Sequence, residues 1–555
     1  MRLSRREILF WCAVSALVLV ANVVRAGRPM YDVDSYQYLS AAENIRAGNG
    51  AATSIVSFDV ERLSGRVPAP LTTFPPGYSF AIALLDGAGL EADQAGALVS
   101  MISFIALFPL LAWGARILSL GPLLTRLVFV WLLANSWVAE YPVQILSEST
   151  FAALTTASVV ALMAAERRDQ TPARRRRALL LGCVLAGLSY WVRYAGLFLF
   201  ASMVAYFALK ALVRRDRRSL AALACCAVPL GMIGTGVLRN LLLTESWQGG
   251  NTKRVLNPIL PVLEKFVASI YHLVFGQKVA ARFGPAELLF VVSALTLVVL
   301  AVHALRERPL LGVRRSPYRT SLAFLSGYLA IYCAGMIYAG VTSVISFGTR
   351  MFYPLLPLLL LAAAHVVGSV EGAISRRSLR RPALAGATAL LTMSYCVINV
   401  RSLQVEPSPT PAEVLDARFA VPAADGRPLR AWIEEHVPPD AVIITTEAHA
   451  TAHVLERRTV ALTSSEYSEF RWTEAEVRAL MASYGAELLT LYPTSRSGPS
   501  AAQRESPFLA RLLEGDCPPW LALVAENPHV RIFRSLPARD SSRETRPASL
   551  VIEER

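Results

Sequence analysis

Residues 8–24 read ILFWCAVSALVLVANVV, seventeen residues without a charge, bracketed by Arg2, Arg5 and Arg6 on one side and Arg25 and Arg28 on the other. As a helix this run spans about 25 Å, close to the roughly 30 Å of a bilayer's hydrocarbon. Asn22 to Arg28 holds two arginines and no small-x-small site, so a retained anchor is expected rather than a cleaved signal. Ten further apolar stretches follow near 94–114, 127–139, 148–165, 178–190, 195–212, 220–238, 285–305, 320–341, 352–370 and 382–400. They predict an α-helical polytopic membrane protein of about eleven transmembrane helices.

Composition agrees with that pattern. Of 555 residues, 54% are hydrophobic and 17% charged, against roughly a quarter charged in a soluble domain. Mean hydropathy is +0.43 over the whole length, which excludes an ordinary soluble enzyme. The net charge of +14 does not point to nucleic acid. From Arg401 onward there are 17 basic and 22 acidic residues, so the positive excess sits among the apolar stretches. There it sets topology. Connections 1–7, 115–126, 166–177, 210–218, 306–319 and 371–381 hold 25 Lys and Arg in 65 residues. The alternate set, 25–92, 140–147, 191–194, 239–284 and 341–351, holds 13 in 137. The cation-rich set is expected in the cytoplasm, placing the N-terminus inside and the C-terminal region outside the inner (plasma) membrane. Seven cysteines, six of them in apolar stretches, offer no disulfide framework or CxxC metal knuckle.

Three outer regions are too long to be plain connectors: loop 25–92, Asn257–Gln277 (read as an interfacial helix), and the region after 400. Pro407, Pro409 and Pro411 suggest a linker. Beyond it, helix 429–436, Pro438-Pro439-Asp440 and the β-branched strand 441–445 predict an extracytoplasmic α/β domain. Further strands are expected at 459–462, 487–492 and 530–534, with a helix at 473–484. The expected division is a membrane domain 1–400, including loop 25–92, an α/β domain 401–537, and a disordered tail 538–555.

Chemistry is expected in the first outer loop, at Tyr31-Asp32-Val33-Asp34-Ser35-Tyr36-Gln37-Tyr38-Leu39. Asp34 with Gln37 three residues on fits an N-cap and its capping-box partner, which leaves Asp32 free for other work. Arg193, Arg239 and Arg350 fall on the cation-poor side, where a topogenic role would be wrong-sided. Glu148 opens an apolar stretch where the helix dipole favours a carboxylate. Tyr36 is a candidate for a sugar-facing aromatic, although an aromatic belt explains it as well. His449 and His453 are one helical turn apart but lack a third ligand, so no metal site is expected.

These pieces, in this order, resemble the GT-C superfamily of polyprenyl-phosphate-sugar-dependent glycosyltransferases, which includes protein mannosyltransferases and bacterial aminoarabinose transferases. The resemblance rests on Asp32 to Leu39, Phe74-Pro75-Pro76-Gly77-Tyr78, Leu146-Ser147-Glu148, Arg193-Tyr194-Ala195-Gly196, Arg350 to Pro357, and Leu429 to Ala441. Many members carry adjacent Asp-Glu in the first loop, whereas here Val33 separates Asp32 from Asp34. The resemblance implies a sugar moved from a polyprenyl-phosphate carrier to an extracytoplasmic glycan, lipid or protein. Asp32 or Asp34 would be the general base, with Asp32 preferred, and Tyr36, Glu148, Arg193, Arg239, Arg350 and Tyr353 would bind substrate. It names no certain cofactor; members differ in using a divalent cation, which leaves one open. The alternative is a transporter or lipid-linked-sugar flippase, which would favour binding groups at the midplane and repeated halves. The expected partners are the lipid-linked donor, its acceptor and the bilayer, with no nucleic acid.

Overall fold

The computed structural model describes residues 3–26, 29–167, 170–215, 217–247, 249, 255–276, 285–307, 319–343, 348–373, 380–402, 410–423, 426–493 and 501–536. The expected disordered tail 538–555 and the prolines Pro407 and Pro409 lie outside these. The chain divides into two compact units, one of Met1–Val414 with Glu466–Glu469, the other of Leu415–Ser465 with Phe470–Arg555.

The first unit is helical. Its elements are α1 (Arg5–Ala26), α2 (Val33–Arg46), α3 (Asp59–Arg62), α4 (Gly77–Asp86), α5 (Ala92–Ile117), α6 (Pro122–Ala134), α7 (Glu148–Ala165), α8 (Pro172–Val192) and α9 (Gly196–Arg214). They continue with α10 (Arg217–Ala224), α11 (Ala227–Thr244), α12 (Ile259–Phe275), α13 (Pro285–Glu307), α14 (Arg319–Thr342), α15 (Thr349–Phe352), α16 (Leu356–Ala373) and α17 (Arg380–Ser402). Among the described residues, eight helical segments are long and apolar enough to cross a membrane: Arg5–Ala26, Ala92–Ile117, Glu148–Ala165, Gly196–Arg214, Arg217–Thr244, Thr320–Thr342, Thr349–Glu371 and Pro382–Val400. Gly77–Asp86, Pro122–Ala134 and Pro285–Val299 are apolar but shorter.

The eleven expected stretches all fall on helices, with two boundaries moved. The run at 127–139 becomes α6, because Pro122 opens a helix at its first position and Asn135 leaves it in an extended conformation, capping Trp137 instead. The run at 178–190 grows into α8, whose first turns carry Arg174–Arg177. At the centre stands α7, 78% of whose apolar window is buried, against 11% for α1. It packs on α5, α8 and α14. Close approach to α8 depends on Gly182, where an added Cβ would lie 2.6 Å from Leu162 Cγ; Ser158 Oγ donates to the Gly182 carbonyl at 2.8 Å. The helix that begins with Glu148 is thereby the fixed axis of the unit.

Loop 47–76 holds β1 (Ala52–Thr53), β2 (Ile55–Val56) and β3 (Ala69–Pro70), with β1 and β3 antiparallel. Gln37 pins this loop, donating to the Ile55 carbonyl at 3.1 Å and accepting from Thr53 Oγ1 at 2.7 Å. The region expected as an interfacial helix holds α12, which exposes Ile259, Leu260 and Val267 and buries Val262 and Leu273.

In the second unit β4 (Val442–Thr445) pairs in parallel with β5 (Arg458–Ala461) and β6 (Leu488–Leu491), and β7 (Leu521–Asn527) and β8 (Val530–Ser535) extend the sheet antiparallel, in the order β5-β4-β6-β8-β7. Ile443, Ile444, Val460, Leu489 and Phe533 fill its core. Around it lie α18 (Pro411–Ala420), α19 (Leu429–His436), α20 (Ala448–Leu455), α21 (Glu474–Tyr484), α22 (Ala501–Glu505) and α23 (Pro507–Glu514). The chain is an α-helical multi-pass membrane protein, by the length and composition of its helices, with a C-terminal α/β unit.

Candidate active site

Asp32, not Asp34, caps α2. It is extended at φ −111°, ψ 171°; its Oδ1 accepts from Val33 N at 2.6 Å, and its own N–H donates to Ser35 Oγ at 2.9 Å, closing a capping box. Only Asp34 has the Gln three residues on that the pattern asks for, and the partner that closes the box is Ser35 rather than Gln37. Asp34 therefore sits in the first turn, its carboxylate not needed for the cap.

Arg350, on the single turn α15, reaches both. Its Nη1 lies 2.7 Å from Asp32 Oδ2, its Nη2 pairs with Asp34 Oδ2, and its Nε lies 2.5 Å from Glu148 Oε1. Tyr332 holds this turn by donating to the Met351 carbonyl at 2.7 Å. Glu148, the first residue of α7, has a side chain with no exposure and a second cation on the same oxygen: Arg193 Nη1 at 2.6 Å. Arg193 also donates to Ser147 Oγ at 3.0 Å, and Ser147 shares a hydrogen bond with the Tyr38 hydroxyl at 2.8 Å. Arg193 occupies the extended step between α8 and α9, where Gly196 is required because an added Cβ would collide with the Tyr190 backbone. Thus Asp32, Asp34, Glu148, Arg193 and Arg350 form one ion-paired cluster drawn from α2, α7, α15 and the α8–α9 step. Such pairing offsets the several kcal/mol that an unpaired buried charge would cost.

The other candidates are placed differently. The Tyr353 hydroxyl is buried beside Glu148 and Ser149. Tyr36 is buried, stacked on Tyr31 at 5.6 Å between centroids and accepting from Ala412 N at 3.2 Å. Arg239 stands in a neighbouring cluster. It donates to the Ala51 carbonyl at 2.9 Å and lies beside Asn240, which donates to the Tyr194 hydroxyl at 3.0 Å; that hydroxyl in turn donates to the Thr72 carbonyl at 2.5 Å. Among the described residues Arg239 has no carboxylate partner, unlike Arg193 and Arg350.

Glu140 is a carboxylate that the sequence reading passed over. The bridge between Met30 and Gln144 lays loop 140–147 beside the start of α2. Glu140 accepts from Gln144 Nε2 at 3.1 Å, and burial together with the nearby Asp32 charge raises its carboxyl above the usual carboxylate range. The available signal was an acid in a connection, 140–147, that contains no Lys or Arg. The residues present do not fit a divalent cation: the carboxylates of Asp32, Asp34 and Glu148 converge on a guanidinium, and no group of three His, Cys, Asp or Glu among the described residues has a ligand arrangement.

No protein-family model and no curated protein matches the chain. Solved structures do. ArnT from Cupriavidus metallidurans bound to undecaprenyl phosphate aligns over 98% of this chain and 100% of its own, with a TM-score of 0.58 at 11% identity. The apo form of that protein gives 0.53 at 12% identity, over 95% and 97% of the two chains. A mutant form of the mycobacterial arabinofuranosyltransferase AftD gives 0.52 at 15% identity, over 96% of this chain and 42% of that one. The fold is GT-C. At these identities the likeness lies in the path of the backbone.

Proposed function

We propose that this chain is an integral-membrane glycosyltransferase that moves a sugar from a polyprenyl-phosphate carrier to an extracytoplasmic acceptor. The observation that carries the reading is the pair of α2 carboxylates held by Arg350 at the start of the buried helix α7. ArnT, whose fold this chain shares, was solved with undecaprenyl phosphate bound, which favours a lipid monophosphate donor.

An acceptor hydroxyl or amine must lose a proton as it attacks the anomeric carbon, and a carboxylate of fixed orientation is the suitable base. Asp34 now suits that role better than Asp32, because both Asp32 oxygens already hold partners, Val33 N and Arg350. Arg350 aims Asp34, and Glu148 with Arg193 holds Arg350 in place. The departing phosphate gathers negative charge and calls for a cation not already neutralised. Arg239 meets that requirement, with Tyr194 and Asn240 beside it as hydrogen-bonding groups. Under this reading residues 1–400 form the catalytic membrane domain, with the N-terminus inside, and 401–537 an extracytoplasmic domain that supports it or selects the acceptor.

The test is to incubate the purified chain in liposomes with a panel of polyprenyl-phosphate sugars and follow released polyprenyl phosphate by mass spectrometry. Release from at least one donor, lost in Asp34→Asn, is expected. Intact donor throughout overturns the reading, and equal release by Asp34→Asn overturns the assignment of Asp34 as its base.

A further inference from the structure

At the end of the bundle away from Glu148, α7 closes on Glu166. Its buried carboxylate is held by Lys210 Nζ at 2.6 and 2.5 Å and by the Tyr206 hydroxyl at 2.8 Å. Lys210 lies in the last turns of α9, the apolar segment Gly196–Arg214, so this cluster sits where a membrane span meets the membrane surface. Two more cations crowd it: Arg175 from the start of α8 and Arg214 from the end of α9 both act electrostatically on Lys210 and on Tyr206. Among the described residues neither arginine has an ion-pair partner.

Local acids do not balance this charge. Segments 166–177 and 210–218 together contain eleven Lys and Arg but only Glu166, Asp169 and Asp216 as acids. Arg174–Arg177 also fill the first turns of α8, the positive end of the helix macrodipole, where cations are unfavourable and an anion is stabilised. Keeping cations on one side of a membrane requires only that they be present in the connection. It does not require that Arg175 of one helix and Arg214 of the next converge on the same ion pair. Beside them the last turns of α9 expose Leu209, Leu212 and Val213, apolar surface suited to acyl chains.

We propose that Arg175 and Arg214, where α8 and α9 meet, bind the phosphate of an anionic diacyl phospholipid from the surrounding leaflet, with its chains along the end of α9. A phosphate between the two guanidinium forks completes the charge balance that Glu166 leaves unfinished. This site is independent of the proposed transfer chemistry and holds whichever leaflet this end of the bundle faces.

The full-length chain, purified in neutral detergent, is examined by native mass spectrometry and thermal denaturation with phosphatidylglycerol, phosphatidylcholine or inorganic phosphate. Phosphatidylglycerol is expected to stay bound and to raise the melting temperature, while phosphatidylcholine and inorganic phosphate do neither. In R175Q/R214Q retention should fall about tenfold or more. R174Q/R176Q, which removes the same charge from the same face of the membrane, should keep it. If R175Q/R214Q does not fold, R214Q alone carries the test, with a loss of several-fold expected. Equal retention by R175Q/R214Q (or by R214Q in its stead), equal loss in R174Q/R176Q, or equal stabilisation by phosphatidylcholine overturns the proposal.

Discussion

Replacing Asp34 and Asp32 one at a time by asparagine separates their roles, because the structure gives the two carboxylates different obligations. Asparagine caps a helix about as well as aspartate, so Asp32→Asn keeps the start of α2. What it loses is the charge on one contact with Arg350, at a side chain 39% exposed. At that exposure an ion pair contributes at most about 1 kcal/mol, a change in rate of about fivefold or less. Asp34, 22% exposed and outside the cap, loses its basicity entirely as asparagine. Removal of a general base costs about 10²–10⁴-fold, or roughly 2.7–5.4 kcal/mol in the barrier. The two variants should therefore differ by at least about tenfold in single-turnover release of polyprenyl phosphate, with donor retention, read by native mass spectrometry, alike in both. A dead Asp32→Asn beside an active Asp34→Asn would refute the argument from the cap. Normal rates in both would remove the general base from this loop altogether.

Other expectations follow from single contacts. Lys210→Met leaves Glu166 buried and short of its cation, so thermal stability should drop by about 3–5 kcal/mol, and Glu166→Gln added to it should restore part of that loss. Burial pushes the Glu61 carboxyl up to about 6, so its contribution to stability is complete below the ordinary carboxylate value and is lost as pH rises through about 6. Across pH 4–7 this amounts to about 2 kcal/mol, and the melting profile of Glu61→Gln should be flatter by that amount, whereas an unchanged profile contradicts it. For orientation, a cysteine placed at Ser500 should react with an impermeant reagent in intact cells and one at Thr171 should not; the reverse pattern refutes the proposed topology.

The helical framework was legible because a membrane span leaves a long, direct trace in hydropathy, and the strands β4, β5 and β6 because buried parallel strands read as short runs of apolar or β-branched residues. What escaped was signalled by single residues or by none. Pro411 was taken for part of a linker but opens α18, and the sign was present in Thr410 and Glu413, which form a reciprocal cap: Thr410 N donates to Glu413 Oε2 at 2.8 Å and Glu413 N to Thr410 Oγ1 at 3.2 Å. Strand β7 escaped for another reason. It is half exposed, and an irregularity between Leu523 and Ala525 breaks the alternation that would have revealed it.

At the site, residue type was readable and partnership was not. Asp32, Asp34, Glu148, Arg193 and Arg350 each stood out as a charge in an unusual place, yet nothing local says that Arg350 meets an aspartate 318 residues away. Partnership is what decides role. A guanidinium that already serves three carboxylates has little charge left for a phosphate and much capacity to orient those carboxylates, so Arg350 is better suited to hold the base than to clamp the leaving group. Arg239 bonds only to a carbonyl and an amide and keeps its charge uncompensated among the described residues. The three arginines were equivalent as outer-side cations in the sequence; counting the acids each one has already met makes Arg239 the one an incoming lipid phosphate would neutralise.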